Sequence, residues 1–399
     1  MSLLAPGIPL SLYIHLPWCV EKCPYCDFNS HQLTEQFDEN KYVASLLKDL
    51  EQDLPKIWGR GVETIFIGGG TPSLFSGPAI DELISGVRAR LMLRPDLEIT
   101  LESNPGSADS SNYLHYRQAG VNRLSIGVQS FDDKQLKKLG RIHDASQAFD
   151  AFKMAREAGF ERINIDLMYA LPAQSIADAL IDLDKAIALN PEHISWYQLT
   201  IEPNTSFNRY PPKQLPDDDL IWEIQQAGAK KLQQAGFEQY EISAWSKKSE
   251  QCQHNVNYWE FGDYLGIGAG AHGKITDLSS EKIFRTRRRK QPSHWLDDEM
   301  NFLADAPAIE KNDLPLEFMM NAMRLNSGVS INTFTERTGL LISDIMEPLR
   351  KARHSHLMDT RLDILKPTTQ GLNYLNDLLA IFMDVKIKKT NNIVIKEIT

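Results

Sequence analysis

The sequence predicts an α/β protein: an open, partial (β/α)6 barrel of the TIM-like kind, followed by a small C-terminal α+β module of winged-helix character. Three observations carry this. Six apolar, β-rich runs lie between residues 10 and 202, each separated from the next by a helix-like stretch; this is the pattern of βαβ units in a parallel sheet. Six strands are too few to close an eight-fold barrel, so the sheet stays open. Beyond residue 313 the βα rhythm gives way to three short helical patterns and a hairpin-like run.

In chain order, the strand candidates are LSLYIH (10–15), TIFIGG (64–69), EITLES (98–103), RLSIGV (123–128), INIDLMY (163–169) and ISWYQLTIE (194–202). Between them lie the helical patterns KYVASLLKDLEQDL, AIDELISGVRARLML, SNYLHYRQAG, AFDAFKMAREAG and IADALIDLDKAIAL. Several end at Gly or Asn-Pro, as helix C-termini do. After PNTSFNRYPPKQLPDDD come a helix (219–235), a strand FEQYEIS and an aromatic, Gly-rich stretch to about residue 273. Residues 274–312 read as a linker with partial helix. PLEFMMNAMRL, INTFTERTG and ISDIMEPLRKARHS read as helices, HLMDTRLDIL as a hairpin and TTQGLNYLNDLLAIFMD as a last helix. The expected division is 1–245 for the barrel, 246–312 for the Gly-rich segment and linker, 313–385 for the C-terminal module and 386–399 for a Lys-rich tail.

With 399 residues, a formal net charge of −10 and 42% hydrophobic content, the composition is that of a globular protein. There is no apolar run long enough for a membrane helix, and the N-terminus lacks the pattern of a signal peptide. The acidic balance argues against broad nucleic-acid binding. The basic run Arg285–Lys290 reads as a solvated face. Four cysteines make no disulfide framework, so a reducing, cytoplasmic setting is expected, with any membrane contact peripheral and through a partner.

Three of those cysteines, Cys19, Cys23 and Cys26, crowd into HLPWCVEKCPYCDFNS. The stretch follows the first strand, on the face where parallel α/β sheets place ligands. Pro17 and Pro24 disfavour a helix, and a loop lets three thiolates converge. Zinc and a Cys23–Cys26 disulfide are alternatives, but structural zinc wants four ligands, commonly as two pairs, and the fourth cysteine, Cys252, is far away in sequence. An iron–sulfur cubane held by three thiolates, with one iron left open, fits better.

C-x3-C-x2-C with Tyr25 before the last cysteine resembles the signature of radical S-adenosylmethionine (SAM) enzymes, in which the open iron of a 4Fe-4S cluster is chelated by SAM. The resemblance implies a SAM site along the strand ends. Gly69, Gly70 and Thr71 of GGGTPS resemble that family's glycine motif. Glu102, Gln129, Arg141 and Asp166 follow at or just beyond later strand ends, Arg141 as a partner for the SAM carboxylate, and Tyr13 would flank the adenine. Gly residues at a strand end also suit a tight turn, and their freed N–H groups can take a carboxylate. Asp166, an acid in an otherwise apolar strand, needs a partner.

The whole series is similar to the coproporphyrinogen dehydrogenase (HemN-like) branch, over about residues 10–375. It departs from the true dehydrogenases where they carry a further cysteine, here Phe28, and in its short N-terminal segment. CDFNS is similar instead to the HemW group of haem-binding chaperones, and HNVNYW (254–259) to its HNxxYW motif. That resemblance implies haem at His254, Asn255, Tyr258 and Trp259, with His254 on the iron and the two rings against the porphyrin. Cys252 and His272, the latter in GDYLGIGAGAHG, are further candidates for the iron. In the alternative reading of the same residues, His254 and Asn255 bond a loop and the two rings belong to the core. The expected function is a haem chaperone that binds a 4Fe-4S cluster, SAM and haem and hands haem to acceptor haemoproteins, membrane-bound respiratory complexes included. The rival is a radical SAM oxidoreductase acting on a porphyrinogen. The C-terminal module carries no dense basic recognition helix and reads as a lid or docking surface. The oligomeric state stays open, with a homodimer as one arrangement.

Overall fold

In the computed structural model, the residues described are 3–5, 7–33, 37–106, 111–297 and 301–387. Twelve strands form one sheet: β1 (Leu10–Leu16), β2 (Gly61–Gly69), β3 (Met92–Ser103), β4 (Arg123–Gln129), β5 (Arg162–Tyr169), β6 (His193–Gln198), β7 (Glu238–Glu241), β8 (Ala244–Ser246), β9 (Asp263–Ile267), β10 (His272–Asp277), β11 (Lys282–Arg288) and β12 (Leu303–Asp305). Their order is β12-β11-β10-β9-β1-β2-β3-β4-β5-β6-β8-β7, so the sheet does not close. The six expected parallel strands are adjacent and in chain order, and β9 adds a seventh parallel strand beside β1. The connecting helices are α1 (Glu39–Asp53), α2 (Gly77–Arg90), α3 (Tyr113–Ala119), α4 (Asp133–Lys138), α5 (Ala145–Glu157) and α6 (Ile176–Ala188); α7 (Asp218–Gln234) precedes β7.

Strand alternation sorts the two faces. On β1, Leu10, Leu12, Ile14 and Leu16 join Tyr42, Leu46 and Leu50 of α1 in the main core. Burying each such aliphatic side chain stabilises by about 1.5–3 kcal/mol. The other face is polar: Ser11, Tyr13 and His15 on β1, Thr64 on β2, Glu98, Thr100 and Glu102 on β3, Ser125 on β4, Asn164 and Asp166 on β5, and His193 and Ser195 on β6. Polar groups shut away from water need partners, so this inner face is where ligands or a polar plug belong.

Two expectations change. Residues 274–312 are not a linker, because β10, β11 and β12 extend the sheet antiparallel from β9. Nor is the basic run a solvated face. Arg288 is buried in ion pairs of 2.7 and 2.6 Å with Asp49 and Asp53 of α1, Arg287 pairs with Asp305 at 2.7 Å, and Arg285 pairs with Glu317. A strand whose charges meet acids distant in sequence looks like a solvated segment when read alone.

In the C-terminal module, α9 (Leu314–Ala322), α10 (Ile331–Thr338) and α11 (Met346–His354) are the three expected helices. The expected hairpin at HLMDTRLDIL closes where Met358 bridges Pro367 antiparallel, with Asp359 N–H donating to the Lys366 carbonyl at 2.9 Å, and its second arm, Ile364–Leu365, also pairs with Val329–Ser330. The last helix is two short ones, Thr369–Asn373 and Leu375–Ala380, and most of the tail lies outside the described residues.

Candidate cluster and ligand site

The cysteine loop springs from the C-terminal end of β1. It closes on itself where Trp18–Cys19 pairs with His31–Gln32, with His31 N–H donating to the Pro17 carbonyl at 2.7 Å and Leu33 N–H to that of Cys19 at 2.9 Å. None of the four cysteines is paired. Each of the three in the loop has a polar neighbour. Arg141 Nη1 donates to Cys23 Sγ at 3.4 Å, Ser30 Oγ lies 3.6 Å from Cys26 Sγ, and Thr71 hydrogen-bonds the Cys19 thiol. Burial pushes the Cys19 thiol up, and the Thr71 bond pulls part of that back. Among the described residues no three His, Cys, Asp or Glu side chains stand close enough for one metal ion. A cubane makes no such demand, since it gives each thiolate its own iron. Three half-exposed or buried thiols with a guanidinium and two hydroxyls on them fit such a group, because donors to sulfur favour thiolate over thiol.

Arg141 is held on three sides. Nη2 donates to Asn104 Oδ1 at 2.7 Å and to the Gly127 carbonyl at 2.9 Å, while Nη1 meets Cys23. Asn104 in turn donates to Thr71 Oγ1 at 3.0 Å, so the second and third strand ends share one network. Beside it, an open cavity of about 480 Å3 reaches down to Tyr13, Gly69 and Glu102. Gly69 has φ +125°, and a Cβ there would lie 2.8 Å from the His15 ring and the Leu16 carbonyl. Its N–H donates to Glu102 Oε2 at 3.1 Å, and those of Gly70 and Thr71 to the Leu16 and Trp18 carbonyls. The freed donors expected for a ligand carboxylate are therefore taken by the chain itself.

Burial and the Asp166 carboxylate push Glu102 up to about 8, against the Gly69 bond. Asp166 is also raised by burial, although Asn164 and Ser125 donate to it at 2.7 and 3.0 Å. Gln129 sits at φ +68° where β4 ends, and its Oε1 accepts from Tyr197 at 2.5 Å. A non-glycine residue held in that region is strained, as functional sites often are. Tyr25 lies between Cys23, Arg141 and Phe207. The structure thus gathers Tyr13, Gly69, Thr71, Glu102, Gln129, Arg141 and Asp166 at one end of the sheet.

It does not bring the HNVNYW segment into the lining of that cavity. The segment forms α8 (Gln253–Trp259), which packs on the inner face, His254 against Phe66 of β2 and Tyr258 within electrostatic range of Tyr13 and Glu102. His254 is 1% exposed, and both its ring nitrogens are engaged, Nδ1 with Thr64 Oγ1 at 2.8 Å and Nε2 with Tyr258 OH at 2.7 Å. Burial lowers it to about 3, so the ring stays neutral. Neither nitrogen is free for iron. Tyr258 packs edge-on to Tyr264, and Trp259 lies under Arg324 and against the C-terminal core. The Asn255 backbone bonds the Cys252 thiol. The Cys252 thiol is buried, donates to Glu98 Oε1 at 3.7 Å and is raised to about 12, so it is no ready thiolate. In this fold the ring nitrogens of His254 and the Cys252 thiol are engaged by the chain itself.

Sequence reasoning missed His15, Asn29, Asn104 and Tyr197. His15 Nδ1 meets Tyr13 OH and Nε2 meets the Asn29 carbonyl, both at 2.9 Å. The Asn29 amide donates to the carbonyls of Ala269 and Lys290 at 3.0 and 2.9 Å. That pins the cysteine loop to the turn of GIGAGAHG, where Gly270 (φ +84°) leaves only 2.1 Å to the amide for a Cβ. A signal existed for two of them. His15 alternates in phase with Ser11 and Tyr13, and Asn29 lies in the quoted CDFNS. A larger cavity, about 1020 Å3, lies in the C-terminal module and is lined by no cysteine or histidine.

Residues 13–186 match the profile of the radical SAM superfamily, and 309–373 that of the HemN C-terminal domain. The chain is 50% identical to "Heme chaperone HemW" of Escherichia coli over 375 residues, 94% of this chain and 98% of that one. It is 34% identical to the protein of the same name in Bacillus subtilis, over 86% and 90% of the two chains. The solved structure of coproporphyrinogen III oxidase (HemN) from E. coli has the same fold, with a TM-score of 0.79 over 94% of this chain and 90% of that one, at 24% identity.

Proposed function

The chain belongs to the HemW family of the radical SAM superfamily, and on that premise we propose that it is a haem chaperone. In this reading Cys19, Cys23 and Cys26 hold a 4Fe-4S cluster. SAM lies in the cavity between Tyr13, Gly69 and Glu102, with Tyr25, Thr71, Gln129, Arg141 and Asp166 around it. Haem is the cargo, passed to acceptor haemoproteins. The observation that carries it is the cysteine loop set at the strand ends, lining a 480 Å3 cavity with its residues 27–31, with Arg141 bridging Cys23 to Asn104 just beyond the end of β3. The cluster would supply an electron and an open iron. The chain's own part is to keep the thiols polarised, orient Arg141 through Asn104 and Gly127, and hold Glu102 protonated until a hydroxyl or cationic ligand arrives.

Phe28 favours the chaperone over a decarboxylase: it stands, 62% exposed, where the dehydrogenases that the sequence resembles carry another cysteine. The test is anaerobic reconstitution with iron and sulfide, then addition of reductant, SAM and coproporphyrinogen III in one sample and haemin in another. Stoichiometric haem binding without sustained decarboxylation is expected. Repeated turnover of the porphyrinogen would make the chain an oxidoreductase.

A further inference from the structure

If the cargo is haem, as that reading requires, its seat is still to be found, because α8 offers the iron nothing. The chain has ten histidines. Both ring nitrogens are hydrogen-bonded in His15, His193 and His254. His143 bonds the Val128 carbonyl through Nε2, and its Nδ1 is buried. His31 bonds the Lys290 backbone, and its Nε2 is shut away from solvent. His115, His294, His354 and His356 line none of the cavities described. His272, the first residue of β10, is exposed, lines the cavity beside the cysteine loop, and has no hydrogen bond to its ring among the described residues.

The rim around His272 has the chemistry of a porphyrin seat. Phe28, which lines the same cavity, is a large apolar ring mostly in solvent, a natural surface for a flat aromatic macrocycle. Lys22 and Lys290 flank the opening, Lys22 also donating to the Phe28 and Ser30 carbonyls at 3.2 and 3.1 Å with one N–H left over, and Asp27 is the acid among the exposed residues there. Two ammonium groups suit two carboxylates at the edge of a disc. Asn29 fixes this arrangement, since it ties the loop bearing Phe28 to Ala269 and Lys290, on either side of His272. Burial and the cations Arg287, Lys290 and Arg285 lower the His272 pKa, which keeps a lone pair on the ring.

We propose that haem, a planar dianionic tetrapyrrole, lies across the mouth of this cavity, with its iron on His272, a macrocycle face against Phe28 and its propionates toward Lys22 and Lys290. The buried depth at Tyr13, Gly69 and Glu102 remains for SAM. On this arrangement Phe28 is a surface for the cargo, at the position where the dehydrogenases carry a cysteine.

The experiment is a haemin titration of the full chain, followed by difference absorption and by electron paramagnetic resonance of ferric haem, for the parent protein and for His272→Ala, Lys22→Glu/Lys290→Glu and His254→Gln. Thermal melts accompany each. The expected results are an imidazole-ligated spectrum in the parent, its loss with about tenfold or more weaker binding in His272→Ala, weakened binding with the imidazole signature kept in the double lysine variant, and an unchanged spectrum in folded His254→Gln. An unchanged spectrum in His272→Ala, or loss of the imidazole signature in His254→Gln with its melting intact, would overturn the site. No haem binding by the parent chain would instead overturn the chaperone reading on which the site rests.

Discussion

Glu102 shows how one residue records what the site lacks. It is buried, its strongest electrostatic neighbour is another acid, Asp166, and its acid is pushed up to about 8. Protonated in the native state and ionised in an unfolded chain, it makes the native protein bind the extra proton between about pH 4.5 and 8. Stability therefore falls as pH rises through that window. Glu102→Gln, which keeps an acceptor for the Gly69 N–H, removes the decline. Its melting temperature should exceed that of the parent at pH 8 and converge with it near pH 4.5. Each unit is worth about 1.4 kcal/mol, enough to move a melt by several degrees. Equal melting at both pH values would mean that Glu102 is already ionised in the native protein. Legibility at this scale followed locality. The cysteine spacing lies within eight residues and could be read directly. The contacts of His254 could not, because one partner, Thr64, is 190 residues away.

The elements were readable where one chemical pattern sets them and hidden where partners are distant. The six parallel strands and their helices announce themselves by alternation and by ends such as Gly120, a left-handed C-cap at φ +113°. β10 to β12 do not, because the charges of RTRRRK mask a strand until Asp49, Asp53 and Asp305 are seen beside it. β10 presents His272 to the site, β11 leads into Lys290 beside it, and Arg288 locks the strands to α1. Arg288→Met should leave two buried carboxylates without their guanidinium, and Asp49 is already raised to about 6 with the arginine present. Breaking a buried pair in this way costs about 3–5 kcal/mol. Chemical denaturation should show that loss. A change under about 1 kcal/mol would place the three groups in contact with water, where ion pairs are worth little.

At the scale of the whole molecule, the barrel and the C-terminal module share a core. Tyr240, Ala244, Phe261 and Ile283 from the sheet side cluster with Phe318, Met323 and Phe334 of the module. Arg324 reaches back to Glu241 at 2.8 Å and over the Trp259 ring. α8 thus serves both halves, with His254 and Asn257 bonded to the inner face and Trp259 joined to the module. Among the described residues no helix is long and apolar enough to cross a membrane; in the chaperone reading the cargo passes to another protein. The cavity mouth, where Phe28 and His272 are exposed, is the face it would leave by. The most direct test is transfer. Haem-loaded chain is mixed with membranes carrying a haem-depleted respiratory haemoprotein, and the acceptor's Soret band is followed as the acceptor concentration is raised. A chaperone that hands haem over directly gives a rate that climbs with acceptor. A rate independent of acceptor, set only by release of haem into solution, or no transfer at all, would contradict the account.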